Sequence, residues 1–530
     1  MSNVAAFKLI LLTLILMVGL QLLAKRLRLP PAIALLIGGV AMAFIPGLPA
    51  VTLDPDLILI VFLPPLLMYG AYFSVWDDLK RHLRGILLLA IGAVAFTTFA
   101  VGVVVHWVVP ALPWAACFAL GAIVSPPDAV AAKAVLERLS LPRRLMVLLE
   151  GESLLNDAAG LVLVRFAVTA ALTGAFSAQQ AVLSFAVLAV GGVLVGAVLG
   201  YLVVLVLRYL KDDYLVITVT LLTAWVSYLA GESIGVSGVI ATVTCGLTIG
   251  WYQHEVFSAA VRIRATAFWQ VLIFLFEALV FILIGLALRG VVVRLDAANH
   301  EGGWVAFAPA IIAVVLAVVA SRFVWIFGID AISALFKRMR GEPVPSSTWR
   351  AATIMSWAGM RGVVTLAIAL SLPEAMPGRD LILLASFAVI FATVLVQGIT
   401  IGVLIKWLNP EHTHPTNSKH LSEPQVVALL DAAQFAAVEP LVHNANGELI
   451  HPRLYEQYRF RAELMARQRE LAHYPREAVT SHYTIVLAAV AAARIALLKM
   501  HREGLVHDEL LHALERDLDF QEVSAQHAMA

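Results

Sequence analysis

Residues 119–136 read ALGAIVSPPDAVAAKAVL, a run apolar enough for a bilayer that carries two consecutive prolines and an aspartate at its middle. Each proline removes a backbone donor and clashes with the preceding turn, so a helix entering at Trp114 must break at residues 125–127. A second half-helix is expected to follow, with Ser125 and Asp128 beside its positive N-terminus. Residues 351–373, AATIMSWAGMRGVVTLAIALSLP, carry a second weak point, because Gly359 and Gly362 flank Arg361 in another apolar run. Irregular backbone at mid-membrane survives only where protein covers it or it lines a cavity.

That these runs belong in a membrane follows from the whole chain. Of 530 residues, 61% are hydrophobic and 14% charged, and the mean hydropathy is +0.88, well outside the range of water-soluble domains. Apolar runs of roughly 17 to 25 residues, each able to cross a ~30 Å hydrocarbon core, number about thirteen. They centre near Ile15, Leu36, Phe62, Ala95, Leu120, Val162, Gly191, Ala224, Val243, Glu277, Val315, Gly362 and Ile390. All are expected to be helices, since lipid offers backbone groups no partner outside their own segment. Cys117 and Cys245, the only cysteines, lie in apolar runs, so neither a disulfide framework nor a CxxC metal site is available. A net charge of +1 with no basic stripe argues against nucleic acid.

Lysine and arginine sort the connections into two alternating sets. One holds Lys25, Arg26 and Arg28; Lys80, Arg81 and Arg84; Lys133, Arg138, Arg143 and Arg144; Arg208 and Lys211; Arg262 and Arg264; and Lys337, Arg338, Arg340 and Arg350. The other holds few or none, as in PGLPAVTLDPD (46–56), TGAFSAQQ (173–180) and AGESIGVS (230–237). The positive-inside rule makes the first set cytoplasmic, with the N-terminus outside and the C-terminus inside. Residues 7–24 are read as a retained helix, because their positive cluster follows the apolar stretch and no small-residue cleavage site is evident. The chain therefore divides into a membrane domain, 1–408, and a cytoplasmic helical domain, 409–530, with helical patterning at 458–474 and 490–519. PEHTHPTNSKH, 410–420, reads as a solvated linker in preference to a metal tract.

Placing a charge at the centre of an inserting helix costs on the order of 2.5–3.5 kcal/mol, so such residues usually mark a pathway or a buried pair. Asp128, Glu152, Asp157, Arg165, Glu277, Arg322 and Arg361 are of this kind. The two broken segments are fifth and twelfth in order and run in opposite senses. They occupy equivalent positions in two six-helix units separated by a linking helix, the pattern of an inverted-repeat secondary transporter with its site at the midplane. In GESLLND, 151–157, Ser153 stands one helical turn from Asp157, and Glu152 one turn from Asn156. A hydroxyl beside a carboxylate suits a small hard cation, which prefers oxygen ligands. A proton competes for the same carboxylate, because a bare charge in a poorly hydrated site is costly.

SPPDAVAAKAVL (125–136), GESLLNDA (151–158), FEALVFILIGLAL (276–288) and GMRGVVTLAIAL (359–370) resemble four membrane motifs of the bacterial monovalent cation:proton antiporters, in that family's order. Asp128 and Asp157 stand 29 residues apart, as the family has them. The resemblance covers about residues 1–410. It implies an all-α antiporter fold of two inverted repeats with crossing discontinuous helices, in the cell inner membrane, as a homodimer. It implies exchange of a monovalent cation, most readily sodium, for a proton, serving pH and sodium homeostasis without a cofactor. By the same resemblance Asp157 takes the ion or proton with Asn156 beside it, and an Asn-Asp pair is associated with electroneutral exchange. Ser153 matches an ion-ligand position, Pro127 the position offering a backbone carbonyl, and Asp128 orders the crossing region or assists the ion. Glu152 and Arg361 match a buried ion pair, while Glu277, Arg322 and Arg165 remain pathway or helper residues. Some members carry an acid in the third helix, near FLPPLLMYGAYF (62–73), where this sequence has Met68 and Tyr69.

Other readings of the same residues are a potassium/proton antiporter of this fold and an intramembrane aspartyl protease with Asp128 and Asp157 as a shared-proton dyad. The Gly-x-Gly-Asp context typical of such proteases is absent, and no repeated carbonyl-lining filter points to a channel. Tyr69, His106 and Met360 are expected to pack rather than to serve the site.

Overall fold

The computed structural model describes residues 3–27, 29–45, 55–128, 141–174, 177–297, 307–341, 348–408, 423–444, 446–470, 476–503, 505 and 508–529. The chain forms two compact units, Met1–Thr413 and His414–Ala530. Both are helical, and the only strand-like pairing among the described residues is an isolated bridge between His443 and Leu449.

In the first unit the helices are α1 (Asn3–Leu27), α2 (Pro31–Ala43), α3 (Pro55–Tyr72), α4 (Trp76–Val108), α5 (Trp114–Val124), α6 (Arg143–Thr173) and α7 (Ala178–Tyr209). They continue as α8 (Asp213–Ile234), α9 (Gly238–Val256), α10 (Ala259–Ala297), α11 (Ala308–Met339), α12 (Thr348–Trp357), α13 (Val363–Leu370) and α14 (Arg379–Leu408). Each apolar centre read from the sequence lies inside one of these helices except Gly362, which falls between α12 and α13. Among the described residues, eight helices are long and apolar enough to cross a membrane, seven of them in this unit and one, Tyr483–His501, in the second.

Local chemistry sets where the helices start and stop. Asp212 caps α8 by accepting from the N–H groups of Tyr214 (2.9 Å) and Leu215 (3.0 Å). Gly235 ends that helix in the left-handed region at φ 80°, where a side chain would be strained. Among the described residues, two helices carry π-helical turns, Leu88–Ala93 in α4 and Thr393–Gln397 in α14. At the first of these the Trp325 indole donates to the Leu88 carbonyl at 3.1 Å.

The helices pack as two groups. One comprises α4, α5, α6, α11, the α12–α13 pair and α14; the other comprises α1, α2, α3 and α7–α10. The groups meet chiefly where α3 and α10 lie against α13, α6 and α14, and where α9 meets α6. Without a hydrophobic drive between helices in lipid, close approach depends on small residues. α2 and α10 show this, since a Cβ built on Gly39 would meet the Ile282 carbonyl and one on Gly285 would meet the backbone of Leu36 and Val40.

In the second unit α15 (Glu423–Val438) packs on α16 (Pro452–Glu470), and α17 (Arg476–Arg502) on α18 (Asp508–Met529). Arg494 joins the latter two by pairing with Asp519 at 2.6 Å and Glu522 at 2.7 Å. The tract at 410–420 lies outside the described residues.

The α2–α10 contact predicts that Gly285→Ala destabilises the purified protein by about 1–3 kcal/mol, since overpacking pushes two backbones apart. Gly328→Ala, a site with nothing within 4 Å of the added Cβ, should leave thermal unfolding in detergent unchanged or slightly raised.

Candidate ion-binding site

The two interrupted segments meet at their breaks. Residues 125–128 and 358–362 are both non-helical. Inside a helix the Val124 carbonyl would accept from the N–H of residue 128, but the Asp128 N–H instead donates to the Met360 carbonyl at 2.7 Å. The freed Val124 carbonyl accepts from Arg361 Nε at 2.6 Å, and Arg361 Nη1 donates to the Gly359 carbonyl at 2.6 Å. The Arg361 backbone N–H reaches Thr393 Oγ1 at 3.1 Å, in the π-helical turn of α14. Each break thus supplies the partners the other lacks. The glycines do more than weaken the helix: a Cβ on Gly359 would collide with the Arg322 side chain, and one on Gly362 with the Asp128 carboxylate.

α6 passes this crossing closely, because a Cβ on Gly160 would meet the Pro126 ring. One face of α6 looks toward the break: Asn156, fully buried, donates through Nδ2 to the Pro127 carbonyl. Its Oδ1 is buried without a hydrogen-bond partner. On the same face Glu152, 1% exposed, is held by both arms of Arg322 at 2.6 and 2.8 Å, and Arg322 Nε donates to the Met355 carbonyl at 3.0 Å. This corrects the expected pairing of Glu152 with Arg361. Arg322, on the regular helix α11, presents its planar fork squarely to the carboxylate, whereas Arg361 sits in the break and is occupied by freed carbonyls. Arg322 is therefore the partner that Glu152 takes.

The adjoining face of α6 is different. Glu150, Ser153 and Asp157, spaced by three and four residues, line a cavity of about 120 Å³, room for several waters at about 10–15 Å³ each. Asp128 joins them from the first break, Val363 and Val364 from α13, Tyr69, Gly70, Phe73 and Ser74 from α3, and Ile273, Glu277, Val280 and Phe281 from α10. The cavity thus lies between the two helix groups. It gathers Asp157, Ser153, Asp128 and Glu277 from the sequence-based set.

Other expected members lie elsewhere. Ser125 is buried outside the cavity, donating to the Ala122 carbonyl at 3.0 Å and accepting from Thr98 Oγ1 at 3.3 Å. Its hydroxyl is recruited to repair the last turn of α5 instead of facing the cavity. Arg165, exposed, pairs with the half-buried Glu232 of α8 at 3.1 Å, away from the cavity. Tyr69, expected to pack, lines the cavity, and so does Glu150. The signal for Glu150 was its place seven residues before Asp157 on one helical face; Tyr69 carried no such signal.

A helical membrane protein whose two interrupted segments cross beside buried carboxylates has the fold of a secondary transporter. The family model described as sodium/hydrogen exchanger, transmembrane, matches residues 11–407. The chain belongs to the sodium/hydrogen exchanger family, whose members are transporters and not enzymes. It is 36% identical to a sodium, potassium, lithium and rubidium/H⁺ antiporter of Bacillus pumilus over 71% of this chain and 57% of that one. The chain therefore spans little more than half the length of that relative. It is 30% identical to an uncharacterised sodium/proton exchanger of Mycobacterium tuberculosis over 94% of this chain and 93% of the other. The structure of a sodium proton antiporter from Methanocaldococcus jannaschii superposes with a TM-score of 0.60 at 21% identity, covering 78% of this chain and 100% of that one. That likeness shows the fold.

Removing one partner of a buried, hydrogen-bonded ion pair costs about 3–5 kcal/mol, while replacing both with apolar residues is often tolerated. Glu152→Gln should therefore lower the unfolding temperature markedly, and Glu152→Leu combined with Arg322→Met should recover most of the loss in the same thermal assay.

Proposed function

We propose that the chain exchanges a monovalent cation, sodium in the first place, for a proton across the cell inner membrane by alternating access. The observation that carries this reading is the position of Asp157: 8% exposed, next to the crossing of the two breaks, in a cavity between two helix groups. Asp157 and Ser153 would ligate the cation. The Pro127 carbonyl accepts from Asn156 and keeps a second lone pair for an ion, and Asn156 fixes the break against α6. Since Asn156 does not titrate, a single carboxylate carries either one cation or one proton, which makes the exchange electroneutral. No cofactor is called for, because both substrates are ions. Potassium is the alternative cargo, favoured by its place in the name of the Bacillus relative.

The charged connections support an N-terminus outside and a C-terminal domain, 409–530, in the cytoplasm. With that orientation Ser74, after the last turn of α3, and Glu150, in the second turn of α6, are both on the cytoplasmic side of Asp157. The cavity then represents the inward-facing state. Inverted six-helix repeats and a homodimer complete the proposal.

Two experiments test it. Asp157→Asn should abolish the collapse of a pH gradient on sodium addition to everted vesicles, and undiminished exchange would refute the assignment. The native cysteines, Cys117 and Cys245, are both buried, so background labelling is low. Ser74→Cys should react with a membrane-impermeant thiol reagent in everted vesicles and not in right-side-out cells; the opposite pattern would reverse the orientation.

A further inference from the structure

Every charged residue lining the cavity comes from the helix group that holds the breaks, with one exception. Asp128 follows α5, Glu150 and Asp157 lie on α6, and Glu277 alone is contributed by the opposite group, from the middle of the 39-residue helix α10. Its cavity neighbours on α10, Ile273, Val280 and Phe281, are apolar. On the adjacent helix α3 the cavity receives Tyr69.

We propose that Glu277, brought to the cavity by the helix group opposite that of Asp157, sets the affinity and selectivity for the cation without being the group that exchanges it for a proton. The inference rests on the cation/proton exchange proposed above. Small cations bind in proportion to the negative oxygen ligands around them. A cation leaving the cytoplasm meets carboxylate from α6 on one wall and from α10 on the other. Because the two walls belong to different helix groups, Glu277 strengthens cation capture in the arrangement that opens this cavity, while Asp157 travels with the break-bearing group. The phenol of Tyr69 leaves α10 as the sole source of charge on its side.

The test uses the full chain in proteoliposomes, with exchange rates measured against sodium, lithium and potassium concentration. Glu277→Gln is expected to raise the half-saturating sodium about tenfold, as fewer charged ligands weaken cation sites, with the maximal rate retained at high sodium and the sodium-to-potassium preference altered. Glu277→Asp should recover the native value at least in part, and adding Tyr69→Glu to Glu277→Gln should restore tight sodium binding from the neighbouring helix. An unchanged half-saturating sodium in Glu277→Gln overturns the proposal. So does total loss of exchange at every sodium concentration in a folded Glu277→Gln protein, because that would make Glu277 obligatory. If Glu277→Gln does not fold, Tyr69→Glu alone decides: a lower half-saturating sodium supports the proposal and an unchanged one overturns it. Failure of the underlying exchange reading is separate, since it appears as activity persisting in Asp157→Asn.

Discussion

Backbone hydrogen bonds that a membrane cannot supply govern this protein. Two helices stop in the middle of the transport domain, and lipid offers no partner for the groups they release. The structure answers by crossing the breaks: the Asp128 N–H goes to the Met360 carbonyl, and the Arg361 guanidinium takes the carbonyls of Val124 and Gly359. Glycine at 362 is required because the Asp128 carboxylate occupies the space a side chain would need. Either break without the other would leave buried polar groups unpaired, at a cost of several kcal/mol each.

The crossing organises the charges around it. α6 threads past with Gly160 against Pro126, which presents Asn156 to the Pro127 carbonyl and turns Ser153 and Asp157 into the adjoining cavity. Glu152 points the other way and is neutralised by Arg322, which also holds α12 through the Met355 carbonyl. A single helix therefore divides its acids: Glu152 is buried and paired, while Glu150 and Asp157 face a cavity. The cavity lies at the seam between two helix groups.

Much of this was readable from residue order. Helix positions followed from apolar length, and the breaks from Pro126, Pro127, Gly359 and Gly362, because local backbone chemistry decides both. The face shared by Ser153 and Asp157 followed from helical spacing. What sequence could not supply was the choice among long-range partners. Two buried arginines were available to Glu152, and only the placement of α11 against α4, α12 and α14 selects Arg322 over Arg361. Ser125 looked like a site hydroxyl, yet its nearest unsatisfied group is the Ala122 carbonyl one turn back. Tyr69 and Glu150 belong to the cavity because α3 and α6 converge there, a fact of tertiary arrangement that no single helix encodes.

The central physical claim is that one buried carboxylate holds a cation or a proton and never both. Proton release on addition of sodium to the purified, weakly buffered protein tests it directly. The account predicts one proton released per sodium bound, with release suppressed as the solution is made alkaline and the carboxylate is already bare. Sodium binding to the native protein with no accompanying proton release would contradict it.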